Sequence, residues 1–182
     1  CLCLYGLAMN ETSFPSMRVD GQVALVTGAG RGIGRGCALA LANAGAEVIV
    51  MSRTAAELGE VVADIRNNGG VARAIVCDVS DSASVKAQIS RINNLDILVN
   101  NAGVSKASSL VDLTEEDLDT LLQVNCRGAV LVAQAAAKIM KPQGSGVIIN
   151  MSSTFGKNGR PNNSIYAATK HFIEGFTKSI AV

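Results

Sequence analysis

From residue 21 onward the chain repeats one pattern five times: a short apolar run, then a segment of helical period. Val23-Ala24-Leu25-Val26-Thr27 carries no polar alternation, as expected of a strand buried on both faces. Further runs follow at Val48-Ile49-Val50-Met51, at 71–77, at Asp96-Ile97-Leu98-Val99-Asn100 and at 146–151. A helix over 33–43 closes at Gly45, a residue suited to a left-handed cap. Thr54 with Glu57 three residues later has the spacing of a reciprocal capping box, opening a helix to residue 67 that Gly69-Gly70 ends. Ser80 or Asp81 opens a compact third helix to about residue 92. Thr114-Glu115-Glu116-Asp117 is a negatively charged start to a helix running to 140, with a break near Asn125. Ser164 starts a last helix, still running at Val182. Strands alternating with helices predict an α/β fold, a doubly wound parallel sheet with helices on both faces. Such sheets bind ligands at the carboxyl ends of their strands, where strand order reverses.

Composition narrows the partners. Sixteen basic and fifteen acidic residues leave a net charge of +1 with no basic run, and aromatics are 3%. That balance offers nothing to a nucleic acid or an anionic membrane, and points to a small-molecule partner. The cysteines are Cys1, Cys3, Cys37, Cys77 and Cys126, and His171 is the sole histidine, so no metal-ligand spacing is present. Cys37, Cys77 and Cys126 lie in apolar stretches and read as small buried residues with reduced thiols, which implies a cytoplasmic setting. The apolar start, Cys1 to Ala8, is too short for a membrane span and lacks the charged flank of a signal peptide. Residues 1–18 are expected to be a poorly ordered leader, and residues 19–182 one domain.

A polar cluster sits at the end of each strand. The first run enters Thr27-Gly28-Ala29-Gly30-Arg31-Gly32-Ile33-Gly34. Glycines between a strand and a helix let backbone N–H groups approach a pyrophosphate at the positive helix end. The spacing is T-G-x-x-x-G-x-G; Ile33 and Arg35 fall where the commoner G-x-G-x-x-G would need its last glycine. The second strand ends Ser52-Arg53 with no carboxylate for a ribose 2′-hydroxyl. Arg31 and Arg53 suit a 2′-phosphate, favouring NADP(H) with NAD(H) possible; both are also ordinary surface charges.

Tyr166 and Lys170 are four residues apart on the last helix, hence on one face. A nearby ammonium favours phenolate, which fits a tyrosine for acid and base work on a carbonyl or alcohol. Ser153, thirteen residues before Tyr166, could hydrogen-bond a substrate oxygen, although strand-end serines are also common turn residues. Asn125 interrupts an apolar helical stretch, either at a kink that holds water or as a satisfied core amide.

Taken in order, the turn at 27–34, Asp78-Val79, Asn100-Asn101-Ala102-Gly103, Asn125, Ser153 and Tyr166-x-x-x-Lys170 resemble the short-chain dehydrogenase/reductase family. The resemblance covers about residues 21–182 and implies a Rossmann-type sheet of order 3-2-1-4-5. It implies Tyr166 as acid/base, Lys170 binding the nicotinamide ribose and lowering the tyrosine pKa, and Ser153 orienting the carbonyl. Asn125 would hold a relay water, Asp78 and Val79 would contact adenine, and Asn101, Ala102 and Gly103 would support the sheet beside the cofactor. The pattern is most like ketoacyl reductases or sugar and polyol dehydrogenases, which assemble as dimers or tetramers. Family members continue past the active-site helix with two more strands and a substrate lid. On that expectation 19–182 is a cofactor-binding and catalytic domain incomplete at its C-terminus, with the fifth strand left as an apolar, aggregation-prone edge. The competing reading is a nucleotide-binding regulatory or inactive fragment of such an enzyme.

Overall fold

All five apolar runs form strands in the structure, a computed structural model that describes residues 17–181. They are β1 (Val23–Thr27), β2 (Glu47–Ser52), β3 (Val71–Val76), β4 (Ile97–Asn100) and β5 (Val147–Asn150). Every pairing is parallel and the order is β3-β2-β1-β4-β5. The chain therefore builds outward from β1 to β3, then crosses back to place β4 on the other side of β1. That reversal opens a crevice beyond the ends of β1 and β4.

Successive strand residues point to opposite faces, and each face has its own core. Leu25, Ile49, Met51 and Leu98 pack with Val85 and Ile89 of α3 (Ser82–Ile89) and Val132 and Ala136 of α5 (Ala129–Gln143). Ala24, Val26, Val48 and Val50 face Ala38 of α1 (Gly32–Asn43) and Leu58, Val61 and Ile65 of α2 (Ala55–Asn67). Burying one such leucine or isoleucine stabilises the fold by about 1.5–3 kcal/mol.

Helix ends depart from the sequence reading in instructive ways. Asp81 caps α3, accepting from the Ala83 and Ser84 N–H groups at 2.9 and 3.1 Å, but α3 stops at Ile89, short of residue 92. Thr114 caps α4 (Glu115–Leu122) through the Asp117 N–H at 3.1 Å. The expected break near Asn125 is a π-helical turn, Gln123–Gly128, between α4 and α5. Beyond residue 140, α5 persists to Gln143, whose amide pairs with the Leu95 N–H (3.1 Å) and C=O (3.0 Å). The last helix is α6 (Ser164–Ile180); Val182 lies outside the described residues. The Thr54–Glu57 capping box does not form: the Thr54 side chain accepts no bond at the start of α2.

Of the expected leader, residues 1–16 lie outside the described residues; Arg18 is ion-paired with Asp20. Cys77 is buried as expected, whereas Cys37, packed against the edge of the core, and Cys126 are only half-buried. Val147 and Ile149 of β5 are 55% and 47% exposed at the sheet edge. Among the described residues, no helix is long and apolar enough to cross a membrane.

Candidate active site

The glycine turn closes tightly on the end of β4. Gly28 has φ +64°, and a Cβ there would meet Asn101 Nδ2 at 2.9 Å and the Ala102 Cα at 3.0 Å. A Cβ on Gly34 would lie 2.3 Å from the Gly28 carbonyl, so only glycine lets α1 start this close to the turn. The wholly buried Thr27 joins the two strand ends: its hydroxyl accepts from the N–H groups of Asn101 (3.0 Å) and Ala102 (2.9 Å). Asn101 Nδ2 donates in return to the Thr27 carbonyl at 3.0 Å.

A cavity of about 360 Å³ opens over this turn. Among the expected cofactor residues, Gly28, Gly30, Arg31, Ile33, Ser52, Arg53, Asp78, Val79, Asn101, Ala102 and Gly103 line it. Gly32, Gly34, Tyr166 and Lys170 do not: Gly32 (φ +55°) faces open space, Gly34 is spent on packing against Gly28, and Tyr166 and Lys170 stand apart on the last helix. Glu57, Cys77, Val104 and Val124 line the cavity unforeseen. Thr54 lines it too; Thr54 and Glu57 carry only a capping signal, and Cys77 and Val104 adjoin the expected Asp78 and Gly103 in sequence. Gly28, Gly30 and Ile33 bring the turn's backbone to the cavity at the start of α1, where N–H groups and the positive helix end suit a pyrophosphate.

Both arginines have acidic neighbours. Arg31 Nη1 lies 4.0 Å from Glu57, and Arg53 Nη1 lies 3.8 Å from Asp78. Burial resists ionisation of Asp78, but the Ser80 N–H (2.9 Å) and hydroxyl (2.7 Å), together with Arg53, outweigh it and hold the carboxyl below its ordinary range. Pairs this exposed contribute no more than about 1 kcal/mol each, which leaves the guanidinium groups available to a better anion. Burial pushes the Cys77 thiol up, so it stays protonated.

On the other side of Gly103 stands the pair from α6. Lys170 is 6% exposed, and its Nζ donates to the Met151 carbonyl at 2.8 Å while sitting 5.7 Å from the Tyr166 ring centre. Burial lowers the Lys170 pKa from its ordinary value, with Cys126 acting weakly in the opposite sense. The Tyr166 ring packs edge-on against Phe155, 5.7 Å between centres. Phe155 belongs to a 3₁₀ turn (Thr154–Gly156) that Ser153 caps, accepting from the Phe155 N–H at 3.2 Å. The Ser152 hydroxyl donates to the Lys170 carbonyl at 3.3 Å, stitching the end of β5 to α6.

Asn125 is buried and its amide is bonded, as a core amide would be. It sits in the π turn, where a helix departs from regular bonding, and its amide is fully engaged. Its Oδ1 accepts from the Val104 N–H (2.8 Å), and its Nδ2 donates to the Val104 carbonyl (2.8 Å) and to Thr169 Oγ1 (3.2 Å). The side chain thus ties the loop after β4 to α6. A Cβ on Gly103 would lie 3.3 Å from Asn125 Oδ1 and 3.8 Å from Lys170 Nζ, so Gly103 is where the cavity meets the tyrosine–lysine pair.

Known proteins share this fold. The sequence profile of the short chain dehydrogenase family matches residues 22–182. A 3-oxoacyl-[acyl-carrier-protein] reductase of Synechocystis is 42% identical over 167 residues, covering 88% of this chain and 67% of that protein. A gluconate 5-dehydrogenase from Burkholderia cenocepacia, solved with NADP and tartrate, superimposes with a TM-score of 0.86 at 38% identity, covering 91% of this chain and 66% of the other. A metagenomic short-chain oxidoreductase in complex with NADP gives a TM-score of 0.86 at 36% identity over 89% of this chain and 76% of its own. The chain spans about two thirds of the length of the curated relatives it matches. With its sheet order, glycine turn and residues 22–182 all in agreement, the chain belongs to the short-chain dehydrogenase family of oxidoreductases.

Proposed function

We propose that residues 19–182 form the cofactor-binding and catalytic domain of an oxidoreductase that uses NADP(H) to interconvert a carbonyl compound and a secondary alcohol. The observation that carries this reading is the buried Lys170 ammonium, beside Tyr166 and one glycine away from the cavity. When bound, the nicotinamide cofactor supplies or accepts the hydride. The remaining work falls to the chain. Tyr166 Oη gives a proton to the developing alkoxide in reduction and takes one from the alcohol in oxidation. Lys170 binds the ribose hydroxyls and keeps positive charge beside the phenol. Ser153 Oγ already accepts from the Phe155 N–H, which leaves its own hydrogen to donate to the substrate oxygen.

Asn125 braces the loop that carries Gly103 and Val104, and its π turn is the place for a relay water. The backbone of 28–34, at the positive end of α1, receives the pyrophosphate, with Gly32 and Gly34 shaping the turn and Ile33 covering it. Asp78 and Val79 flank the adenine, while Arg31, Ser52 and Arg53 receive the 2′-phosphate. NAD(H) is the alternative cofactor, because each arginine already has an acidic neighbour. The similarity to a 3-oxoacyl-[acyl-carrier-protein] reductase and a gluconate 5-dehydrogenase supports a 3-oxoacyl thioester or a keto-sugar acid as substrate class. We place the protein in the cytoplasm as a dimer or tetramer, in keeping with the free cysteines Cys37, Cys77 and Cys126. Titration of NADPH fluorescence, followed by NADPH oxidation with each substrate class, tests the reading; a chain that binds no nicotinamide nucleotide contradicts it.

A further inference from the structure

Glu57 is not where capping logic puts it. Thr54 and Glu57 have the spacing of a reciprocal cap, yet the Thr54 hydroxyl accepts nothing and its N–H lies 3.4 Å from Ser52 Oγ. The glutamate instead crosses to the glycine turn. A Cβ built on Gly30 would fall 2.6 Å from Glu57 Oε2 and 2.9 Å from Glu57 Cβ. Gly30 has no positive φ, so the turn does not need glycine there for backbone reasons. What it supplies is room, and Glu57 occupies that room. The other carboxylate oxygen, Oε1, lies 4.0 Å from Arg31 Nη1. Glu57, Arg31 and Ser52 all line the cavity. The carboxylate side chain is 36% exposed against 85% for the arginine, so the anion is the better shielded of the two and the less screened by salt.

We propose that Glu57 sets the cofactor discrimination of this cavity: its carboxylate is a resident counter-anion of Arg31 that a ribose 2′-phosphate has to face. The inference rests on the nucleotide reading given above and goes beyond it by naming the residue that limits the preference. A 2′-phosphate meets Arg31 already partly neutralised and is itself repelled by the carboxylate. A ribose 2′-hydroxyl carries no charge, so the carboxylate acts on it only weakly. Removing the charge while keeping the side-chain shape therefore separates the two cofactors. It strengthens binding of the phosphorylated ribose and leaves the other nearly unchanged.

Calorimetric titration of adenosine 2′,5′-bisphosphate and of 5′-AMP into the wild-type chain and Glu57→Gln tests this without turnover. At low salt the variant is expected to bind the bisphosphate about tenfold more tightly, as removal of one unit charge a few ångströms from a dianion implies. The gain should shrink at high salt, and the affinity for 5′-AMP should change by less than about twofold. Glu57→Ala, which removes the same charge, must shift the bisphosphate in the same direction, and thermal melts check that both variants fold. Equal shifts for the two ligands, or no tightening for the bisphosphate in either variant, overturn the assignment. Failure of the wild-type chain and both variants to bind either nucleotide instead overturns the cavity as a nucleotide site, and the assignment with it.

Discussion

Replacing Thr27 by valine keeps the shape of a wholly buried side chain and deletes one hydroxyl. That hydroxyl accepts the N–H groups of Asn101 and Ala102 at 3.0 and 2.9 Å, joining the ends of β1 and β4 beneath the cavity. The losses are unequal. The Asn101 N–H has a second acceptor in the Val99 carbonyl at 3.1 Å, so only the Ala102 N–H is left with no recorded alternative. A donor left without a partner costs about 1–3 kcal/mol, and Ala102 is half-buried beside the cavity, so a loss at the lower end, about 1 kcal/mol, is expected for Thr27→Val. Urea unfolding followed by circular dichroism should show a lower midpoint with an unchanged slope. Because Ala102 lines the cavity, affinity for NADPH should fall as well. A destabilisation below about 0.5 kcal/mol would place the substitution among ordinary surface changes and refute this account of the joint.

Removing both guanidinium groups, Arg31→Ala with Arg53→Ala, should weaken NADP⁺ by about tenfold or more and NAD⁺ by less than about threefold in equilibrium titrations; equal losses would remove the 2′-phosphate assignment. Lys170→Met tests the buried ammonium through pH. The folded pKa lies below the unfolded value, so between the two the unfolded chain binds more protons and stability rises with pH. Below that window the burial penalty is fully present. The wild type should therefore gain stability relative to Lys170→Met as pH climbs toward the ordinary lysine value, and parallel profiles would contradict this. Val147→Lys with Ile149→Lys should raise the soluble, unaggregated fraction seen by light scattering, because both side chains already point outward on an edge strand; an unchanged fraction would show that β5 is not the adhesive edge.

The central strands β1, β2 and β4 are readable because each is buried on two faces, a requirement that leaves its mark on every consecutive residue. The edge strands β3 and β5 are exposed at several positions and are legible only as apolar runs. Helix termini were readable where the cap is local, as at Asp81 and Thr114. Thr54 and Glu57 carry the same signal and do not obey it. Gly30, twenty-seven positions before Glu57 and brought near by the β1–α1–β2 crossover, leaves a space that draws the carboxylate away. Asn125 could be flagged as an oddity in an apolar stretch, but its partners, Val104 and Thr169, lie on other elements and follow only from packing. The extension of α5 to Gln143 has the same origin, in a pairing with Leu95 that spans β4 and two helices. Spacing within one helix did place Tyr166 and Lys170 together. Spacing could not supply the Met151 carbonyl that holds the lysine in place.

The most direct test of the account is Tyr166→Phe, which deletes the oxygen proposed to carry the proton and leaves the aromatic packing against Phe155. Reduction of an active carbonyl substrate should fall at least about a hundredfold. The NADPH dissociation constant should stay within about threefold of the wild type, since no contact with the cavity is lost. A variant that keeps wild-type turnover would contradict Tyr166 as the acid and base of this site.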